Sequence, residues 1–468
     1  MGDSVSGGSG AMPPVGGLQG RALRVGLTRR GLLHAGAVLT TAAGGGLALS
    51  ACGAPNQAAG GETSGPSTAP ATVRFHSRGG APGSQEITLY DEQMPLFMQK
   101  YPNIKVVHEG FTGEDFTQKI TVLNAGGSLG DAMWTAIGGG VIYYFAANKT
   151  IQPIDPYVAR EKFDLGQYYK NVIEGLKRDG KVFGLPFKSH PGVSVLFYNQ
   201  TAFEKTGAVP DKSWTLDRLV DGAKRATQGD VFGYNPATSH KTILTYTRAF
   251  GGELLDPEGK KSLLNSPQAV QAITWMYDAF NRHNIGPKPS VAAEQGGVDK
   301  MFVNGKLASG KWGTSFQLTA QRDVKDSFKW FASLHPKGPG NVPGSDFEAD
   351  AYSLTSATKA PDASWQWVKW LTNQESGIRL GEIGGTVGGR PDVYKSERLL
   401  KDPIRRVFLE AMETAQPGRP VYNTRLGEYE KVMQDGLVPV WEGQQAPSKA
   451  FLDELTRQVQ VVLDQPLP

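Results

Sequence analysis

From residue 72 onward, short β-rich runs alternate with segments whose apolar residues recur at helical spacing. "TVRFHSRGG" (72–80) reads as a strand ending in glycines. In "SQEITLYDEQMPLFMQKYPN" (84–103), Ile87, Leu89, Tyr90, Met94, Leu96 and Phe97 keep a helical period that Pro102-Asn103 stops. "IKVVHEGF" returns to a strand, "EDFTQKITVLNAGG" to a helix ending at glycine, and "DAMWTAI" (131–137) to a third strand. "SPQAVQAITWMYDAFNRHNI" (266–285) is the cleanest helix, with Ser266 as N-cap and Pro267 in the first turn. "DASWQWVKWLTNQESG" (362–377) predicts another, whose Trp367, Trp370 and Leu371 share one face; that spacing favours core packing over a ligand stack. The alternation argues for α/β layers, and about 400 residues exceed one core and suit two domains.

The front of the chain follows another pattern. Arg29 and Arg30 precede a short Gly/Ala-rich apolar stretch from Leu32 to Leu49, which reads as an export signal. Thr28-Arg29-Arg30-Gly31-Leu32-Leu33 resembles a twin-arginine signal, with the general secretory route as the alternative. Leu49-Ser50-Ala51-Cys52 resembles a bacterial lipobox, and Cys52, the chain's one cysteine, is the expected lipid attachment point. Residues 1–51 are thus expected to be a signal peptide, and 52–71, small and Pro/Gly-rich, a tether from the outer face of the membrane. Charge supports this division. The chain holds 49 Lys+Arg against 45 Asp+Glu, and without the signal 45 remain against 44. Such balance lacks the basic excess of a nucleic-acid binder.

Tests for catalysis fail one by one. The seven histidines include no pair within four residues, so there is no HExxH helix, and no metal or other cofactor is expected. Gly126-Gly127-Ser128-Leu129-Gly130 matches G-x-S-x-G, but a helix precedes it and a strand follows, the reverse of a nucleophile elbow. "GKLASGKWGTSF" (305–316) approaches a phosphate loop, yet "VDKMFVN" before it reads as a helix end capped by Gly305. Trp312 also stands where the magnesium-binding hydroxyl should be.

Four segments in register carry a family resemblance. "YPNIKVVHEGFTGEDFTQKI" resembles a YP-x-I-x-V strand leading into a helix. "GKVFGLPFKSHPGVSVLFYNQTAFEKTGAVPDKSWTLDRLVDGAKRAT" (180–227) resembles a G-L-P, Y-N, F-x-x-x-G, T-W succession, though its end reads Ser213-Trp214-Thr215. "MFVNGKLASGKWG" and "SLTSATKAPDASWQWVKWLTNQESG" supply the other two. Together they resemble the extracellular solute-binding lipoproteins of ABC importers, in the carbohydrate-binding family that includes maltose-binding protein. The resemblance spans essentially the whole mature chain.

It implies a two-lobe periplasmic-binding-protein-like (type II) α/β fold, with hinge strands crossing near 185, 330 and 386. Lobe 1 would be 72–184 plus 331–385, and lobe 2 185–330 plus 386–468. A monomeric, non-enzymatic receptor would close on its solute and present it to a membrane permease. Trp312 is expected as a stacking face for a sugar and Phe316 as a second wall; a core Trp packed under the helix is the equal alternative. Loops at strand ends supply further ligand-binding candidates: His76, Arg78, Trp134, Gly138, Lys188, His190, Glu348, Asp350 and Arg390, with Tyr429 from a C-terminal helix. His76, Arg78, Lys188 and Arg390 together also suit an acidic or phosphorylated sugar. A polyamine binder would need more carboxylates than Glu348 and Asp350. A surface-anchored glycan hydrolase would need two facing carboxylates about 5–10 Å apart.

Overall fold

The computed structural model describes residues 69–78, 84–111 and 115–467. The export-signal arginines Arg29 and Arg30 and the expected lipid site Cys52 lie outside the described residues.

Eleven strands form three sheets among the described residues. The strands are β1 (Ala71–Arg78), β2 (Ile104–Phe111), β3 (Ala132–Ala136), β4 (Lys177–Arg178), β5 (Lys181–Val182), β6 (Leu185–His190), β7 (Val195–Asn199), β8 (Ser309–Trp312), β9 (Trp330–Leu334), β10 (Glu348–Leu354) and β11 (Val387–Gly388). Six strands make one sheet in the order β11-β6-β10-β3-β1-β2, three make another in the order β8-β7-β9, and β4 with β5 is a small hairpin. In the large sheet β1 runs parallel to β2 and β3, while β10 is antiparallel to both β3 and β6. The three-stranded sheet is antiparallel throughout.

The strands show where the chain changes sheet. β6 lies in the large sheet and β7 in the small one, so the first crossing is residues 191–194. β9 and β10 bracket the second, residues 335–347. β11 rejoins the large sheet, and the helix Pro403–Thr414 then packs on β9 and β7, so the third crossing lies between 389 and 402. The first two crossings are bonded together. Ser194 Oγ accepts from the Asp346 amide (2.6 Å) and donates to its carbonyl (3.1 Å), and the Ser194 carbonyl accepts from the His335 amide (3.0 Å).

Local chemistry accounts for the elements. Ser266 caps the helix Pro267–Asn281 by accepting from the Ala269 amide. The turn at Gly126-Gly127 ends the helix Phe116–Ala125, with Gly127 at φ +65°. Gly305, at φ +69°, follows the helix Val298–Val303, and β8 then leads into the helix Phe316–Asp323. The continuous helix expected over 362–377 is instead two, Pro361–Leu371 and Gln374–Ile383. The Asn373 side chain accepts from the Ser376 amide and so starts a new helix, a local bond that outcompetes the helical period. Trp365 and Trp367 are fully buried, and Trp367 meets Phe97 and Phe75 edge-on, as core packing requires.

Candidate functional site

A crevice lies where β3 and β10 of the large sheet face the helix His240–Ala249 and the residues near 418–430. Gly138 and Gly139, just past β3, form its floor. A Cβ on Gly138 would come within 3.2 Å of a Glu348 carboxylate oxygen, close enough that the carboxylate would have to shift slightly. The crevice encloses about 40 Å³, far below the roughly 300–1,000 Å³ of typical small-molecule sites. The crevice as it stands has no room for a sugar ring.

Paired charges line its walls and the layer behind them. Lys188 on β6 lies between Glu86, in the first turn of the helix Gln85–Lys100, and Asp350 on β10 at 3.0 Å. Burial opposes the ammonium charge, but Asp350 and Glu86 outweigh it and hold Lys188 above the usual lysine range. Asp350 answers in kind. Burial would raise it, yet Lys188 and the Trp134 indole N–H, which donates to the carboxylate, keep it below the ordinary range. Next along β10, Glu348 meets His190 Nε2 at 3.3 Å and pairs with Lys241, which reaches over from the helix His240–Ala249. Burial, aided by Lys188, pushes the His190 imidazole down to about 3, so it stands uncharged between two ammonium groups. On the opposite wall His240 Nδ1 lies 3.0 Å from Glu430, and this imidazole holds the carboxylate below its usual range against the effect of burial.

The structure brings some expected residues together and disperses others. Gly138 and Glu348 line the crevice, His190 stands behind Glu348, and Lys188, Asp350 and Trp134 form the adjoining layer. Arg78 covers the Trp134 ring at 5.1 Å. His76 turns instead beneath the sheet edge. Its Nε2 accepts from the Gly130 amide (2.8 Å), its ring stacks on Phe111, and its Nδ1 lies 3.3 Å from Glu109 without hydrogen-bond alignment. Arg390 forks onto Asp392 and covers Tyr168. Tyr429 is buried and donates to the Leu254 carbonyl. Trp312 and Phe316 stack on each other, centroids 4.1 Å apart and planes 7° apart, under Phe197 and Phe302. The Trp312 indole donates to Asp299 at 2.6 Å. In this conformation both rings are core packing beneath the helix.

Sequence reasoning passed over Glu86, His240, Lys241 and Glu430. A signal existed for three of them. Glu86, His240 and Lys241 occupy first turns of helices, and ligand crevices in α/β folds gather at such ends. Among the described residues no group of three or more His, Cys, Asp or Glu side chains is arranged to hold a metal, and no helix is long and apolar enough to cross a membrane.

Comparison with known proteins defines the class. Residues 81–378 match the family model of bacterial extracellular solute-binding proteins, and the chain belongs to that family. A maltotriose-binding protein of Pyrococcus abyssi is 19% identical over 391 residues, covering 80% of each chain. An ABC substrate-binding protein of Listeria monocytogenes, solved in complex with cycloalternan, superposes with a TM-score of 0.72 at 19% identity, over 84% of this chain and 99% of that one. UgpB of Mycobacterium tuberculosis, in complex with glycerophosphocholine, gives 0.71 at 16% identity over 84% and 98%. These likenesses show the two-lobe, type II binding-protein fold, and the Listeria protein is named an ABC substrate-binding protein.

Proposed function

We propose that this protein receives a neutral sugar or oligosaccharide in the crevice between its lobes and delivers it to an ABC permease. The observation that carries the solute class is the pairing of charges at the crevice. Glu86, Asp350, Glu348 and Glu430 each have a basic partner in Lys188, Lys241 or His240. Glu86 and Asp350 share one lysine, so these groups carry no surplus cation to neutralise an anion, and they are rich in groups that bond hydroxyls once the walls part. The names of the maltotriose- and cycloalternan-binding relatives point the same way. The acidic-sugar alternative is left with Arg78, over the Trp134 ring, since Lys188 is paired with Asp350, Arg390 with Asp392, and His76 is buried against Gly130 and Phe111.

In this reading lobe 1 follows the large sheet and lobe 2 the small one. The boundaries expected at 185, 330 and 386 then fall at 191–194, 335–347 and 389–402. Trp312 and Phe316 become solute-facing only if opening unstacks them. Export through Arg29 and Arg30, anchoring through lipid on Cys52 on the outer face of the membrane, and a monomeric state complete the proposal.

A thermal-shift screen of the protein with maltotriose, cyclic glucans, glucuronate, glycerophosphocholine and spermidine tests it. A ligand at a hundred times its dissociation constant adds about 2.7 kcal/mol of stability. The neutral glucans are expected to stabilise, and Glu348→Ala to abolish the shift. Stabilisation by spermidine, by glucuronate or by the zwitterionic glycerophosphocholine alone would overturn the solute class.

A further inference from the structure

Arg248 belongs to the helix His240–Ala249 and is buried, yet lines no wall of the crevice. Its guanidinium gathers three separate segments. Nε bonds Glu253 Oε1 (3.0 Å), which neutralises its charge. Nη1 donates to the carbonyls of Ser345 (2.9 Å) and Gln416 (2.7 Å), and Nη2 to that of Pro417 (2.7 Å). Ser345 lies in the second crossing, next to Asp346, whose backbone is bonded to Ser194 of the first. Gln416 and Pro417 lie in the linker after the helix Pro403–Thr414, and that linker is also held from lobe 1, where Asn171 donates to the Ala415 carbonyl at 2.7 Å. These carbonyls belong to irregular backbone with no ladder to satisfy them. A planar fork with several fixed donors holds them together; a single ammonium cannot.

The same helix reaches the crevice at its other end. Lys241, paired with Glu348, precedes Arg248 by seven residues, two helical turns, so both side chains leave the helix on one face about 10 Å apart along its axis. We propose that Arg248 is a positioning residue that pins the crossings of the hinge, and that this helix is the rigid lever coupling Lys241 at the crevice to that pin. The lever rests on the solute-binding reading; the pin does not.

Interlobe distance distributions test both. Spin labels are placed at Val122→Cys on the helix Phe116–Ala125 and Val461→Cys on the helix Lys449–Leu463, two exposed positions, in the full chain carrying Cys52→Ser. Pulsed electron resonance without added solute then reads the distance between lobes. Arg248→Lys is expected to broaden the distribution at least twofold, and Arg248→Met at least as much. Arg379→Met, which removes an equally well-formed fork to Glu92 within lobe 1, is expected to leave the width unchanged. A lower unfolding midpoint for Arg248→Lys with an unchanged width would mean a merely structural arginine and would overturn the pin. Lys241→Met is expected to broaden the distribution as well; a width equal to wild type there, with Arg248→Lys broadened, would overturn the lever and leave the pin. Since no solute is added, either failure is independent of the sugar screen.

Discussion

Two lysines, one from each sheet, meet enclosure in opposite ways. Lys188 on β6 is largely buried but faces Asp350 at 3.0 Å and also Glu86, and its ammonium is held above the usual range. Lys311 on β8 is 3% exposed, and its Nζ has no hydrogen-bond partner. It points at the ring face of Tyr246, 4.2 Å from the centroid. A cation–π contact supplies about 0.5–2 kcal/mol, whereas an uncompensated buried ion costs several. Burial therefore wins, with Asp346 opposing only in part, and Lys311 is driven well below its ordinary range. Its neighbours are shifted against their charged forms too. Burial raises Asp346, while burial and Lys311 together lower His335 far below the usual histidine range. The other groups facing this cluster are the bonded hydroxyls of Tyr234 and Tyr246, and, around Asp346, Lys241, Arg248 and His240. Enclosure alone does not decide charge; a carboxylate within bonding distance does.

The largest expected effect comes from removing the paired lysine. Lys188→Met leaves Glu86 and Asp350 facing each other without a cation, which costs about 3–5 kcal/mol and lowers the thermal unfolding midpoint. The deficit is expected to shrink on acidification towards pH 4, as the orphaned carboxylates take up protons. A loss below about 1 kcal/mol, the level of an exposed pair, would erase the contrast between the two lysines.

Lys311→Met should act in the opposite direction. A buried donor left unbonded costs about 1–3 kcal/mol, and at pH 7 the cost of releasing the lysine proton adds to it, so the variant is expected to gain at least that much there. The sign with pH follows from linkage. Lys311 has a lower pKa folded than unfolded, so below about 10.4, the free lysine value, the unfolded chain binds the extra proton. Its contribution therefore improves as pH rises from the depressed folded value towards that limit. Wild type should approach the variant by about 1.4 kcal/mol per pH unit inside that window. Parallel stability curves for the two proteins between pH 7 and 10 would show Lys311 to be charged and partnered.

The same two lysines mark how far the sequence was legible. Lys188 was recognisable as a site candidate, but on a loop at a strand end; it lies within strand β6. Strand β8 was readable from "SGKWG", but not the direction of its faces. Lysine in a strand normally marks the solvent side, and Trp312 beside it the core; here both neighbours are buried, because helices cover one face of the small sheet and Phe316 and the helix Pro403–Thr414 the other. The crevice was legible on its large-sheet side, where His190, Glu348 and Asp350 lie on strands. It was not on the helix side. Lys241 and Glu430 lie 107 and 82 residues away from Glu348, and only the packing of two helices brings them near it. The hinge pin left still less trace, since Arg248 bonds backbone carbonyls, which no residue pattern records.

The smallest effect separates Trp312 as packing from Trp312 as ligand platform. Its stack on Phe316 and its edge contacts with Phe197 and Phe302 are preserved by another aromatic, while its bond to Asp299 is not. Trp312→Phe should therefore cost about 0.5–1.5 kcal/mol, the net worth of one hydrogen bond, plus the part of the ring's area that phenyl leaves unfilled. If Trp312 serves packing alone, the shift produced by a bound glucan will be the same in the variant as in wild type. A variant that keeps its own stability but loses the glucan shift would mean that opening turns this ring towards the solute. The paired charges at the crevice would then be only one half of the recognition surface, with an aromatic face on lobe 2 as the other.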